Sequence, residues 1–145
     1  MSTYSPGHFG ANSYARVGLE TSVMSASPHE LIAMLFQGAR RAVRTARIQM
    51  ENGNIPEKGK LISQAIMIIG GLQQGLNLEQ GGEIARRLDE LYAYMTRRLL
   101  EGNLQNDSAR LEEVDGLLAT VEEGWTGIKP QVSGHVGSAP LVSAA

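Results

Sequence analysis

Not one cysteine occurs among the 145 residues of the chain. That excludes disulfides, thiolate nucleophiles and cysteine-based zinc sites together, and it fits a reducing compartment. Aromatic residues are scarce as well, with one Trp, four Tyr and two Phe. A formal charge of −2 at pH 7 supplies no strong field toward nucleic acid or anionic lipid. No run reaches the roughly 18 uninterrupted apolar residues that span a bilayer. The opening stretch MSTYSPGHFGANSY has neither a basic start nor an apolar run, so it does not read as a secretory signal. Together these absences point to a cytoplasmic protein that binds no nucleic acid and does not insert directly into a membrane.

What the chain does have is helical periodicity. Residues 1–12 are rich in Ser, Gly and Pro and read as a mobile arm. The stretch KPQVSGHVGSAPLVSAA, residues 129–145, has the same character and reads as a flexible tail. Residues 13–128 are left as one domain. Within it a first helix is expected over Pro28–Asn52, opened by Ser27-x-x-Glu30, a capping box in which each residue's side chain accepts from the other's amide. A second is expected over Glu57–Leu76. A third runs from Gly82 to Glu101 and stops at Gly102-Asn103. The fourth is capped by Asn106 or Asp107 and ends near Ile128. Short linkers make neighbouring helices antiparallel, which gives an all-α, up-down four-helix bundle.

At roughly 100° per residue, each helix shows which face it buries. In the fourth, Leu111, Val114, Leu118, Val121, Trp125 and Ile128 form one stripe, and Glu112, Glu113, Asp115, Glu122 and Glu123 lie away from it. In the first, the core arc holds Leu31, Ile32, Leu35, Phe36, Ala39, Val43 and Ala46. The third uses Ile84, Leu88, Leu91, Met95 and Leu99. The second is different. Its apolar residues, Leu61 and Ile68 among them, cover roughly 160°, and Met67 falls outside even that arc. One partner helix does not cover so wide a face.

The polar residues make no catalytic site. His29-Glu30 resembles the start of a zinc-protease helix, but the position one turn on, where a second His is needed, is Ala33. No Glu-x-x-His pair faces the core, as a di-iron bundle requires. His29 therefore reads as a first-turn residue and Glu30 as a cap. The glycine-rich GLNLEQGGE, Gly75–Glu83, follows a helix rather than a strand and lacks the Lys-Ser/Thr of a phosphate loop, so it reads as a helix–helix turn. Arg40, Arg44 and Arg47 read as a solvated face that the acidic fourth helix can offset. The chain is thus expected to be no enzyme and to need no metal and no cofactor.

Apolar residues do remain in places that the core does not use. Met34 and Ile48 fall outside the core arc of the first helix, and Tyr94 and Leu100 outside that of the third. With Leu61 and Ile68 of the wide second helix they form a candidate groove for another amphipathic helix. Tyr14, Val17 and Leu19 are too few for an independent helix, but they suit a short apolar strip laid over such a groove as a lid.

The stretches ANSYARVGLETSVMSASPHELIAMLFQGARRAVRTAR, GKLISQAIMIIGGLQQGLN, GGEIARRLDELYAYMTRRLLEGN and EEVDGLLATVEEGW resemble, in this order, the FliS family of flagellar export chaperones. The resemblance runs from about Ala11 to Ile128, and SASPHELIAMLF and LYAYMTRRLL are its most specific pieces. It implies the same bundle with a short N-terminal helical cap segment. It also implies a client, the disordered C-terminal region of flagellin, kept from premature polymerisation and brought to the export-gate membrane protein FlhA through that protein's cytoplasmic domain. The Tyr14–Val17 stretch then holds the groove closed until the client displaces it. A homodimer of the free chain is a further expectation. The alternative is a homo-oligomerising helical adaptor without a flagellin client.

Overall fold

Ser27 opens the helical part of the chain by the expected capping box. Its amide donates to Glu30 Oε1 at 2.9 Å, and the Glu30 amide donates to Ser27 Oγ at 3.1 Å. The computed structural model describes residues 25–128, which hold four helices. We label them α1 (Pro28–Glu51), α2 (Ile55–Gln74), α3 (Leu78–Gln105) and α4 (Ser108–Thr126). The expected arms, 1–12 and 129–145, and the N-terminal cap segment before Ser25 lie outside the described residues. By its contacts the chain divides into two units, Met1–Leu31 and Ile32–Ala145. The capping box belongs to the first unit, and the bundle interior belongs to the second.

Each later helix also begins on a side-chain cap. Asn54 accepts from the Glu57 amide, Asn77 from that of Gln80 and Asp107 from that of Ala109. Asp107 is therefore the cap of α4, and Asn106 has another task. It closes α3 in the left-handed region at φ 54°. This corrects the expected end of α3. The helix runs through Gly102 and Asn103 to Gln105. Gly102 is not a terminator but a point of close approach, since a Cβ there would lie 2.5 Å from Leu111 Cδ1. At its other end α3 includes a turn, Leu78–Gly81, before Gly82. There φ 57° and ψ −135° interrupt the helical path at a conformation that glycine tolerates.

Cross-helix contacts set the order and direction of the bundle. A Cβ on Gly38 would lie 3.5 Å from Ile68 Cδ1, and one on Gly71 4.0 Å from Leu35 Cδ1, so α1 and α2 run antiparallel. Gln73 Nε2 donates to Asp89 Oδ1 at 2.9 Å, and Lys58 Nζ to the Asn103 carbonyl at 3.1 Å, which joins α2 to α3 in the same sense. Arg98 Nε donates to Glu113 Oε1 at 2.8 Å while Gly102 meets Leu111, so α3 and α4 are antiparallel too. Arg40 Nε to Asp115 Oδ1 at 2.9 Å and Arg47 to Glu112 at 3.7 Å close the ring between α4 and α1. The up-down four-helix bundle is thus complete within residues 32–126.

The core is the expected one with local exceptions. Phe36, Val43, Ile62, Ile69, Met95 and Leu118 are buried in its centre. Val121 and Trp125 pack partly buried against it, and Ile128 is 38 % exposed past the end of α4. Ala42, Met50 and Tyr92 are buried although they lie outside the expected stripes, whereas Ile84, two residues beyond the break at Gly82, is exposed. Burial pushes the Tyr92 phenol up to about 12. Lys58 is 4 % exposed, and its ammonium donates to the Asn103 carbonyl and to Asn106 Oδ1, so it binds the C-terminal end of α3 where positive charge is favoured.

Two substitutions separate interior from exterior. Gly102→Ala forces α3 and α4 apart and should cost about 1–3 kcal/mol by overpacking. Met67→Ala, on the outside of α2, should stay within about 0.5 kcal/mol of the parent. Urea unfolding midpoints measure both, and a Gly102→Ala variant as stable as the parent would show that the α3–α4 contact has slack.

Candidate functional site

From Leu61 to Leu78 the chain carries no charged residue. This stretch includes most of α2. One side of the helix is spent on the core through Ile62, Ala65, Ile69 and Leu72. The other side is not covered by the described residues. Met67 is 72 % exposed, and Gly59 and Gly70 face open space where a side chain would go. Beside Met67 this side exposes the uncharged polar residues Ser63, Gln64 and Gln74, so a partner that covers it meets apolar area without a charge to desolvate between Leu61 and Gln74 but must also pair these polar groups.

The flanks of α2 have the same character. On the α1 side, Leu61 and Ile68 are partly buried against the core, two turns apart on one face. Across from them on α1 stand Met34, partly buried, and Ile48, 53 % exposed. Of these four expected residues, Ile68 is placed on the α1–α2 seam by its approach to Gly38, and Ile48 stands exposed on α1. On the α3 side, Leu100 is 53 % exposed near the point where Lys58 holds Asn103. Ile55 and Leu104 are exposed at the same end. Sequence reasoning omits these two because it starts α2 at Glu57 and stops α3 at Glu101. It also leaves Met67 out of the site, although the uncharged run around it is a legible signal.

Tyr94 is not brought together with that group. It lies on the opposite side of α3, where its hydroxyl donates to Glu113 Oε2 and its ring has the Arg97 and Arg98 guanidinium carbons 5.8 Å from its centroid. Tyr14, Val17 and Leu19 lie outside the described residues. Among the described residues no three His, Cys, Asp or Glu side chains are grouped to hold a metal ion. No described helix is long and apolar enough to cross a membrane.

The electrostatics divide the bundle in two. Both flanks of α4 are tied by ion pairs, with Arg40 bridging Asp115 and Glu122 on the α1 side and Arg98 and Arg110 reaching across from α3 and α4 on the other. Among the described residues no ion pair crosses either flank of α2. Hydrogen bonds from Tyr94 and then from Arg98 hold the Glu113 carboxyl below the usual carboxylate range, and the Tyr94 phenol is raised by the same bond. The carboxylate is the form that binds both donors. Its contribution is therefore present above the ordinary carboxylate pKa, about 4.3, and is lost as pH falls through the lowered native value. Glu113→Gln should lower the melting temperature near neutral pH, and the gap to the parent should close as pH drops below about 4. A gap that persists unchanged in acid would assign the loss to shape rather than charge.

The sequence is similar to known proteins. The sequence model of the family described as flagellar protein FliS matches residues 10–132. The flagellar secretion chaperone FliS of Salmonella typhimurium is 53% identical over 125 residues, covering 86% of this chain and 93% of that protein. FliSB of Pseudomonas aeruginosa, also a flagellar secretion chaperone, is 50% identical over 115 residues, 79% of this chain and 91% of its own. The FliS protein of Bacillus subtilis is 33% identical over 106 residues, 73% of this chain and 78% of its own. The chain belongs to the FliS family.

Proposed function

We propose that the chain is a cytoplasmic export chaperone that binds the disordered C-terminal region of flagellin, keeps it from polymerising early and assists its delivery to FlhA at the flagellar export gate. The observation that carries this reading is the uncharged, outward-facing side of α2 with its apolar flanks, in a chain whose family members are flagellar secretion chaperones. An amphipathic client segment has no favourable partner for its apolar stripe until it is laid along such a face. Ordering a disordered segment costs about 2–5 kcal/mol of the gross interaction, so the contact must be extended rather than confined to a single pocket.

Met34, Ile48, Leu61 and Ile68 form one half of the proposed client surface, and Met67 and Leu100 continue it toward α3. Tyr94, with its hydroxyl engaged by Glu113, is proposed as a separate contact through its partly exposed ring. Tyr14, Val17 and Leu19 are proposed as the segment that covers the surface until the client arrives. The chaperone acts stoichiometrically and carries out no catalysis. The free chain is proposed to form a homodimer.

Gel filtration with light scattering, on the protein mixed with a flagellin C-terminal segment, should give a 1:1 complex. Met67→Glu should weaken that complex at least about tenfold, or about 1.4 kcal/mol, without moving the melting temperature by more than a few degrees. An unshifted elution at tens of micromolar would instead favour an adaptor that only self-associates. For Tyr14→Ala, client or gate binding should change more than thermal stability, and equal damage to both would place Tyr14 in the core.

A further inference from the structure

The end of the bundle that holds the α1–α2 and α3–α4 turns keeps apolar side chains that the described residues leave uncovered. Ile55 and Leu100 are each 53 % exposed there, and Leu104 is 85 % exposed. Ile55 starts α2, and the two leucines stand one turn apart near the end of α3. Between them is a gap. A Cβ on Gly59, one turn along α2 from Ile55, would meet nothing within 4 Å.

Two contacts fix the level and side of these residues. Lys58 reaches Asn103 and Gln73 reaches Asp89 across the α2–α3 seam. Counting from these pairs puts Leu104 level with Glu57 and Lys58, Leu100 level with Leu61 and Ile62, and Glu101 level with Lys60. At roughly 100° per residue, Ile55 falls on the same side of α2 as Gln73, and Gly59 lies next to it. By the same count Leu100 falls on the side of α3 that carries Asp89, with Leu104 turned further outward. The leucines and the Gly59 gap therefore stand side by side at one seam. Lys60 and Glu101 lie on the outer surfaces of their helices, turned away from the seam to either side. Lys60 is exposed, and Glu101, although it accepts from Arg98 at 3.0 Å, keeps its side chain 45 % exposed.

A surface that offers a projection and a gap together is self-complementary under a two-fold axis that runs along the seam. Such an axis lays α3 of each copy over α2 of the other. Leu100 and Leu104 of each copy then cover Ile55 and the Gly59 gap of the other. The same rotation brings Glu101 of each copy to the level and side of the other's Lys60, so opposite charges meet twice.

We propose that this end of the α2–α3 seam is the surface through which two copies of the chain associate, with Leu100 and Leu104 entering the partner's Gly59 gap and two Lys60–Glu101 pairs at the rim. The inference rests on the proposal that the free chain is a homodimer, and it adds the surface. The apolar centre spans about two turns of each helix, less than the roughly 800 Å² per partner of a standard interface. The dimer is therefore reversible and depends on concentration. Its exposed rim pairs set register more than affinity. Leu100 also borders the proposed client surface, so a second copy and a client exclude one another at that point.

Sedimentation equilibrium of the full chain through the micromolar range tests the surface. Leu104→Glu should weaken dimerisation at least about tenfold, whereas Leu78→Glu, at an exposed apolar position at the opposite end of α3, should leave it unchanged. Lys60→Glu alone and Glu101→Lys alone should each weaken it several-fold at low salt, since each sets like charges together twice. An equimolar mixture of these two variants should dimerise as the parent does, because a dimer with one copy of each restores both pairs. A misfolded variant gives no such rescue. A parent that dimerises, with Leu104→Glu dimerising equally well or with no rescue in the mixture, would overturn the surface while leaving the homodimer standing. Loss of flagellin-segment binding by Leu104→Glu with dimerisation intact would assign the patch to the client and overturn it too. A parent that stays monomeric throughout would remove both proposals.

Discussion

The ion pairs of α4 are the constraint on which the surface of this bundle depends. Every helix in an antiparallel ring has two flanks that must be sealed, and apolar packing alone leaves the outer rows of side chains to choose between solvent and neighbour. Here α4 supplies carboxylates to both sides. Asp115, Glu122 and Glu112 face the arginines of α1, and Glu113 faces Arg98 and Tyr94 of α3. Such part-exposed pairs are individually modest in energy, but they specify which helices lie next to α4 and in which register. Because they satisfy that half of the ring, α2 can face its neighbours from Leu61 onward without charge, with Lys58 the charged contact near its start. The uncharged face is then not a defect in an otherwise polar exterior. It lies on the flank of the ring that the ion pairs do not reach.

The same division explains the buried Lys58. With no ion pair across α2, the corner between α3 and α4 has to be held against α2 in another way. Lys58 does so by donating to Asn103 O and Asn106 Oδ1, both at the negative end of α3. The acceptors are a carbonyl left free by the helix end and the amide of the residue that takes the left-handed turn. A lysine whose ammonium is satisfied there needs no counter-ion, and its alkyl stem adds to the apolar packing of α2.

Much of this is legible from residue order, for a physical reason. Caps and stripes are local: Ser27 and Glu30 are three residues apart, and Leu111, Val114 and Leu118 recur with the turn of the helix, so their roles need no knowledge of the partner. What escapes depends on another helix. Gly102 looks like a terminator because glycine commonly ends helices, and only the approach of Leu111 shows that it marks a contact instead. Cutting α3 short at Glu101 removes Leu104 from the surface, and starting α2 at Glu57 removes Ile55 in the same way. Tyr92 and Tyr94, two residues apart, are not separable by residue type. Their opposite fates follow from what each meets: one is buried among the core residues and the other is held by Glu113 of α4. The site is legible as a surplus of apolar side chains. The seam that carries the surplus becomes clear only when the charged pairs have been assigned to the other half of the ring.

An uncharged face with open glycines also bears on how a disordered partner is held. Gly59 and Gly70 allow a second backbone to approach more closely than a row of larger side chains does, and Met67 between them is flexible enough to fill irregular gaps. A surface built in this way is permissive about the exact apolar residues it meets, so apolar contact alone discriminates poorly between one amphipathic helix and another. Discrimination then has to come from groups that penalise the wrong partner. Permissive packing over α2 lets a segment without prior structure fold where it lands.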